Sequence, residues 1–587
     1  MFVIVLTTFP ANRRHHGSDA RRRLCRNQLM RNRVLRFVAY AAVGIATGLV
    51  VAGVETLAIE IMLEGLLRAE LWQQALAPGL GLLISVTLLQ WADRGKRLSP
   101  ATSEEYIRAY HSRHGVVRML QLPFRLGAGI ATVGLGGAVG LEGPSIYGGA
   151  TIGSAMQGRL KWLFKEKDGK ALLVAGAAAG VAAIFQAPAT GVLFALESPY
   201  KGDLGRRALL PSLISAATSY ATFVLITGVG GDSRPFDVDE NILFSVEIGQ
   251  RELVGAVLVG ILCGAGARLF SRMVKLAKRI QTEVPQWQRV LGGAIVLGSL
   301  VVTADALLGL PLTLGPTAGT ELSNWVTEPD ISLWLIGFLL VARFVATGTT
   351  LSAGGVGGVF IPLAVSGLLV GRIVGSWIDV GSAALRFFPF IGVAAFLAGG
   401  YRTPLAAVMF VAESTDAPQF VVPGLIAVAV SQVIIGSTSV SSHQHDTRTG
   451  HLEGRFQMPI TSAMRTPRHI VRQEDSVSDF VWGHAFPAKE VAGIVADDDG
   501  HYLGMIRLHD IRHLERADWA TTNIMAVIDE AVRPARLSWT IREATAAMEE
   551  HELDQIPVVD TGNRVVGVVT SDSMLKLDEI LEETQGN

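Results

Sequence analysis

The apolar residues of this chain gather in long runs rather than alternating or marking one helical face. Windows such as Phe37–Met62, Leu253–Phe270, and Leu333–Val345 with its flanks approach the ~20 residues that a helix needs to cross a bilayer. Charged residues concentrate before about residue 36 and after about residue 441. Between these ends the pattern predicts an all-α, multi-pass membrane region. Many of the apolar runs are short or are broken by Gly and Pro, which predicts tilted and discontinuous helices.

The membrane region repeats itself. Pro188-Ala189-Thr190-Gly191-Val192-Leu193-Phe194-Ala195-Leu196-Glu197-Ser198 resembles Pro404-Leu405-Ala406-Ala407-Val408-Met409-Phe410-Val411-Ala412-Glu413-Ser414. In both, the glutamate lies nine residues after the proline. Upstream, Gly140–Pro144 pairs loosely with Gly358–Pro362. Pro144 and Pro188 are 44 residues apart, Pro362 and Pro404 42. Two halves with a Gly/Pro-broken element at matching places point to an ion site at the repeat interface.

After Ser441 the composition turns polar, and residues 441–457 read as a linker. Beyond it, 458–587 reads as a soluble α/β region in two copies, about 458–515 and 519–581. Met464 precedes the Gly504–Ile511 segment by 40 residues, and Met525 precedes Gly567–Met574 by 42. The second copy carries a helical segment, Ile541–Glu550, and the short β-rich stretches Ile556–Val559 and Val565–Val569. The four expected parts are therefore 1–36, a basic arm; 37–440, the membrane region; 441–457; and 458–587.

Composition agrees. The chain is 49% hydrophobic and 18% charged over 587 residues, against about 25% charged for an average soluble protein. Mean hydropathy is +0.38. A net charge of −1 gives no basic balance for nucleic acid. Arg13, Arg14, Arg21, Arg22, Arg23, Arg26, Arg31, Arg33 and Arg36 precede the first apolar run. By the positive-inside rule they place the N-terminus in the cytoplasm, as a membrane-flanking and partly disordered arm. Met1–Phe9 is apolar but too short to span, and it precedes the positive charges, the reverse of a signal peptide. Cys25 and Cys263 are far apart and define neither a disulfide framework nor a metal cluster.

The chemistry concentrates at Gly140-Leu141-Glu142-Gly143-Pro144, where one carboxylate falls inside the glycine-rich apolar run from Phe124 to about Met156. An ionisable group at membrane depth is by default a functional site. Flanking glycines and a following proline open a helix there. A helix start offers free N–H groups and a positive dipole end to an anion. The alternative is a glutamate that merely caps its helix.

Taken together, these motifs resemble the CLC chloride channel and transporter family over about residues 37–440, followed by a tandem CBS-domain pair, a common appendage of that family. Gly140–Pro144 looks like the family's gating-glutamate motif, and Gly358-Val359-Phe360-Ile361-Pro362 like its second anion-binding motif. Ala187–Glu197 and Thr403–Glu413 look like further family segments. The resemblance implies two inverted-topology repeats of discontinuous helices, a homodimer, and a chloride path in each subunit. It implies Glu142 as the protonatable gate, with Gly140, Leu141, Gly143, Pro144 and residues 358–362 at the anion. No cofactor is required beyond the transported chloride or other small anion, and protons are possible partners. The protein is expected as a multi-pass plasma- or inner-membrane protein with both termini cytoplasmic.

The family pattern fails at several places. Its ion-coordinating serine falls near Pro100–Glu105, where the sequence reads as a helix start with Thr102 or Ser103 as N-cap. Either hydroxyl is a candidate ion ligand, and Glu104 and Glu105 are expected to face away or toward water. The family's tyrosine falls near Gln444, and the neighbouring His443 and His445 read as solvated. The inner acid of proton-coupled members falls at Ser198, which does not titrate near neutral pH. In the CBS pair, Thr570 and Asp572 stand where such domains often hold the ribose of an adenine nucleotide, and Arg507 and Asp510 are their counterparts in the first copy. Ser573 takes the position of the usual acid, which favours a ligand-free dimer clamp. No zinc-protease, P-loop or nucleophile-elbow motif occurs, so no enzyme is expected. The expectation is a gated chloride channel, with chloride/proton antiport as the alternative.

Overall fold

The computed structural model describes residues 16–92, 99–112, 116–164, 168–228, 249–316, 320–378, 381–415, 417–446, 456–467, 469–551 and 553–577. The chain divides into two compact units, Met1–Thr447 and Arg448–Asn587.

The first unit is helical. Among the described residues eight helices are long and apolar enough to cross a membrane, from Met30–Leu67 to Pro418–Ile435. Shorter apolar helices, Gly169–Ile184, Pro188–Glu197 and Pro404–Thr415, lie between them. These are the broken elements that the Gly/Pro pattern predicts. The described part of the basic arm belongs to helix His16–Glu55, which continues into the first span. Positions 1–15 lie outside the described residues.

The sequence repeat is also a packing repeat. Helix Glu142–Arg159 crosses Gly169–Ile184 at Gly149 and Gly176, where a Cβ on either glycine would overlap the other's carbonyl. Helix Phe360–Ile378 crosses Gly381–Tyr401 in the same way at Gly367 and Gly392. Close backbone approach of this kind substitutes for the hydrophobic effect, which lipid does not supply between helices.

The membrane unit extends past the expected boundary at residue 440. Residues 441–446 are not a free linker. His445 N–H donates to Pro199 O at 3.3 Å, Lys201 N–H donates to His445 O at 2.9 Å, and the His445 ring stacks on His111 at 3.8 Å. His443 and His445 are both exposed, as the solvated reading expects, although His445 is tied in place through its main chain and its stacked ring.

The second unit holds two three-stranded sheets of the same plan. In one, β1 (Ile470–Arg472) runs parallel to β2 (Ala492–Ala496), and β2 antiparallel to β3 (Tyr502–Arg507). In the other, β4 (Ala535–Arg536), β5 (Gln555–Val559) and β6 (Val565–Thr570) repeat that arrangement, with the register shift at the equivalent place. The two copies interleave rather than splitting at 515/519. Arg465 pairs with Val568 of β6, and Asp529 pairs with Met505 of β3. Ile460 and Ala463 accordingly join the core of the second sheet, and Ile524 that of the first.

Candidate functional site

Two loops meet inside the membrane unit. Gly140 N–H donates to Gly358 O at 2.9 Å, and Gly358 N–H donates to Gly140 O at 2.8 Å. This two-bond clamp joins the loop before helix Glu142–Arg159 to the loop before helix Phe360–Ile378. Threonines fix the approach: Thr347 donates to Ala138 O at 2.9 Å, Ala138 N–H donates to Thr350 Oγ1 at 3.2 Å, and Val356 N–H donates to Thr132 Oγ1 at 3.0 Å.

The clamp sets Glu142 opposite the other helix start. Glu142 is 1% exposed, and its Oε1 accepts the Phe360 N–H at 2.5 Å. The Ile361 amide also faces it. The carboxylate thus rests on N–H groups of the neighbouring helix as well as facing its own backbone N–H. Both clamp glycines are needed for this seat, because a Cβ on Gly140 or Gly358 would overlap the Glu142 carboxyl. Leu141, Gly143 and Pro144 form the first turn around Glu142; Val359, Phe360, Ile361 and Pro362 form the turn that it faces.

A third element closes the seat. Helix Thr102–His111 begins with Ala101 as its cap, so neither Thr102 nor Ser103 is the N-cap that the sequence suggested. Thr102 points inward: it is fully buried, and its hydroxyl lies against Gly143 and has no hydrogen-bond partner. Ser103 lines a cavity of about 80 Å³ with Glu104, Lys278, Val359 and Tyr401. Glu105 turns away to Arg108 at 2.6 Å and toward Arg125 at 3.5 Å, as expected, but Glu104 faces this cavity, paired with Lys278.

Tyr401 is the residue that the motifs do not reveal. It ends an apolar helix without any signature of its own. Its hydroxyl is buried and unpartnered, and it faces Ser103, the Val359 amide and Glu142. Its ring meets Phe194 at 5.2 Å and Phe360 at 6.1 Å. Gln444 ties backbone together instead of facing Glu142. Its Nε2 donates to Ser198 O and Tyr401 O, each at 2.8 Å, and its Oε1 accepts from Ser439. Ser198 lies buried, with its hydroxyl unpartnered. Glu142 Oε2, Thr102 Oγ1 and Tyr401 Oη are each buried without a hydrogen-bond partner, a costly state unless a ligand or water completes it.

The other two repeated helix starts are already occupied. Glu197 accepts from Leu405 N–H at 3.1 Å and Ala406 N–H at 2.9 Å. Reciprocally, Glu413 accepts from Ala189 N–H at 2.9 Å, Thr190 N–H at 2.7 Å and Thr190 Oγ1 at 2.6 Å. Each half thus caps the other half's short helix with a carboxylate, so these termini are not open to an anion.

In the second unit Thr570 and Asp572 line one cavity of about 400 Å³ with Arg465, His469 and Lys489. Thr570 Oγ1 accepts Ser573 N–H at 3.0 Å, and Asp572 is held by Lys576 at 3.0 Å and Arg465 at 3.2 Å. Their counterparts in the first copy differ: Arg507 spans Asp510 and Asp529, each at 2.9 Å.

A membrane unit of broken helices thus holds one buried carboxylate on the free start of a facing helix, with the Thr102 and Tyr401 hydroxyls buried and unpartnered. The chain belongs to the voltage gated chloride channel family, whose model matches residues 80–436. A CBS domain matches at 526–579. Among curated relatives, the H(+)/Cl(-) exchange transporter ClcA of Cronobacter sakazakii is 29% identical over 52% of this chain and 64% of its own length. The voltage-gated ClC-type chloride channel ClcB of Shigella flexneri is 27% identical over 62% of this chain and 84% of its own. The chain thus spans less than two thirds of the ClcA relative. A slow cyanobacterial Cl−/H+ antiporter shares the fold at TM-score 0.58 and 22% identity, covering 68% of this chain and 94% of its own. A eukaryotic CLC transporter does so at 0.57 and 18%, covering 92% and 98%.

Proposed function

We propose that the chain is a gated chloride channel in which Glu142 is the gate. The supporting observation is the Glu142 carboxylate seated on the Phe360 amide, with unpartnered Thr102 and Tyr401 hydroxyls beside it. An anion and an ionised carboxylate want the same N–H groups. Each helix start contributes roughly 0.3–2 kcal/mol, enough for several to hold an ion and weak enough for it to leave. Protonation of Glu142 weakens its hold on Phe360 and yields the seat. Tyr401 takes the place of the hydroxyl expected near Gln444. Gly140, Leu141, Gly143, Pro144 and residues 358–362 supply the backbone of the seat; Thr102 and Ser103 supply hydroxyls.

The protein acts as a homodimer with both termini in the cytoplasm, and the cavity at Ser103 and Lys278 is the inner mouth. The CBS pair serves as a clamp, with Thr570 and Asp572 its candidate nucleotide residues. Chloride/proton exchange is the second reading: relatives bear that name, and Glu104 puts an acid at the inner cavity although Ser198 does not titrate. Reversal potentials of the purified protein in liposomes separate the two. A pure chloride Nernst response under a proton gradient supports the channel; a shift that follows the proton gradient establishes exchange and overturns it.

A further inference from the structure

Lys278 and Glu104 stand apart from the seat yet line the cavity that leads to it. Lys278 lies near the end of helix Gln250–Glu283, and Glu104 lies in the first turn of helix Thr102–His111. The Lys278 ammonium bonds the Glu104 carboxylate, and it also donates to Ser442 Oγ at 3.1 Å and Val440 O at 3.3 Å. Glu104 further accepts the Ser442 N–H at 3.0 Å, with His443 Nδ1 at 3.8 Å. Their side chains are 31% and 14% exposed, so water reaches the cation more than the acid. Tyr401, which faces Glu142, and Ser103 line the same cavity.

An ammonium at the narrow end of an anion path raises the local anion concentration, and a carboxylate there lowers it. Low-dielectric walls focus both effects. Paired, they cancel. We propose that Lys278 is the cation that admits anions to the inner end of the seat, and that Glu104 meters it by neutralising its charge. The inference rests on the anion-transport function proposed above.

The test is chloride current through the full-length protein in planar bilayers, with chloride varied on each face in turn. Glu104→Gln leaves the ammonium unopposed. The chloride concentration for half-maximal current should fall on the order of tenfold on one face only, and the gain should fade as ionic strength rises. Lys278→Met leaves the carboxylate unopposed and should raise that concentration on the same face by a similar factor. The double variant should return close to wild type, because the net charge at the mouth is restored. A mere clamp between helices behaves otherwise: both single variants and the double variant lose current together, with no face preferred. That result overturns the proposal, as does a shift of the two single variants in the same direction. A wild-type protein that carries no chloride current at all overturns the transport function itself.

Discussion

At the scale of single residues the site turns on one oxygen. Glu142 Oε1 occupies the Phe360 amide, the first free N–H of the facing helix. In the proposed gate, a falling pH protonates the carboxyl, its charge-assisted bond weakens, and anions compete better for the same N–H. Glu142→Gln removes the titration while keeping the shape, so chloride flux in liposomes should lose most of its pH dependence between about pH 4 and 8. An unchanged pH profile removes Glu142 from the gate. Gly358→Ala tests the seat from the other side. The added Cβ meets only the Glu142 side chain among its nearest neighbours, and that chain can swing aside. Flux should rise at neutral pH, with the melting temperature nearly unchanged. The motif made Glu142 and the Phe360 turn legible in the sequence, because glycine, proline and a buried acid are rare together in an apolar run. Tyr401 was not legible: an aromatic at the end of an apolar helix reads as core, and only the fold shows its hydroxyl meeting Ser103. Thr102 was legible as a helix start but not as a buried hydroxyl, since a helix start does not fix which way its first side chain points.

At the scale of elements, the two halves are cross-capped. A short apolar helix leaves its first N–H groups unsatisfied, and in lipid no water satisfies them. Glu197 and Glu413 solve this for each other's half, which explains why the repeat keeps a glutamate nine residues after each proline. The sequence showed the spacing and could not show the exchange, because two acids at matching places are equally consistent with separate roles. Hydrogen bonds to charged groups contribute about 1.5–3 kcal/mol each, and a lost cap costs about 0.5–2 kcal/mol. Glu413→Ala leaves the Ala189 and Thr190 amides unpaired and should lower stability by roughly 2–4 kcal/mol in detergent unfolding. Glu197→Ala should do the same, and the double variant should cost about the sum of the two, because the caps sit on different helices. A Glu413→Ala protein as stable as wild type would show that water or lipid headgroups satisfy these amides instead.

At the scale of the molecule, the sequence divided the chain correctly into membrane and α/β parts, because the change in hydropathy is large. It misplaced the boundary between them, because residues 441–446 are polar and yet bond the backbone at Pro199 and Lys201. Polarity alone cannot distinguish a linker from a strip that pairs with main chain. It also could not show the interleaving of the CBS copies, since Arg465 and Asp529 carry no pattern that names their partners. The cavity holding Thr570 and Asp572 is large enough for a nucleotide, yet Arg465 is already paired with Asp572. A hydrogen bond from Lys576, aided by Arg465, holds the Asp572 carboxyl below its ordinary value, so the residue stays ionised at neutral pH. A phosphate entering the cavity must take Arg465 away from Asp572 and tolerate that carboxylate nearby. The full-length protein should therefore bind AMP or ATP no tighter than about 1 mM, or about −4 kcal/mol, by calorimetry. Asp572→Asn frees Arg465 and Lys576 and removes the repulsion, so affinity should rise at least about fivefold and weaken again with added salt. Micromolar binding by the wild-type protein would mean that nucleotide, rather than the internal ion pairs, is the natural partner of these basic residues.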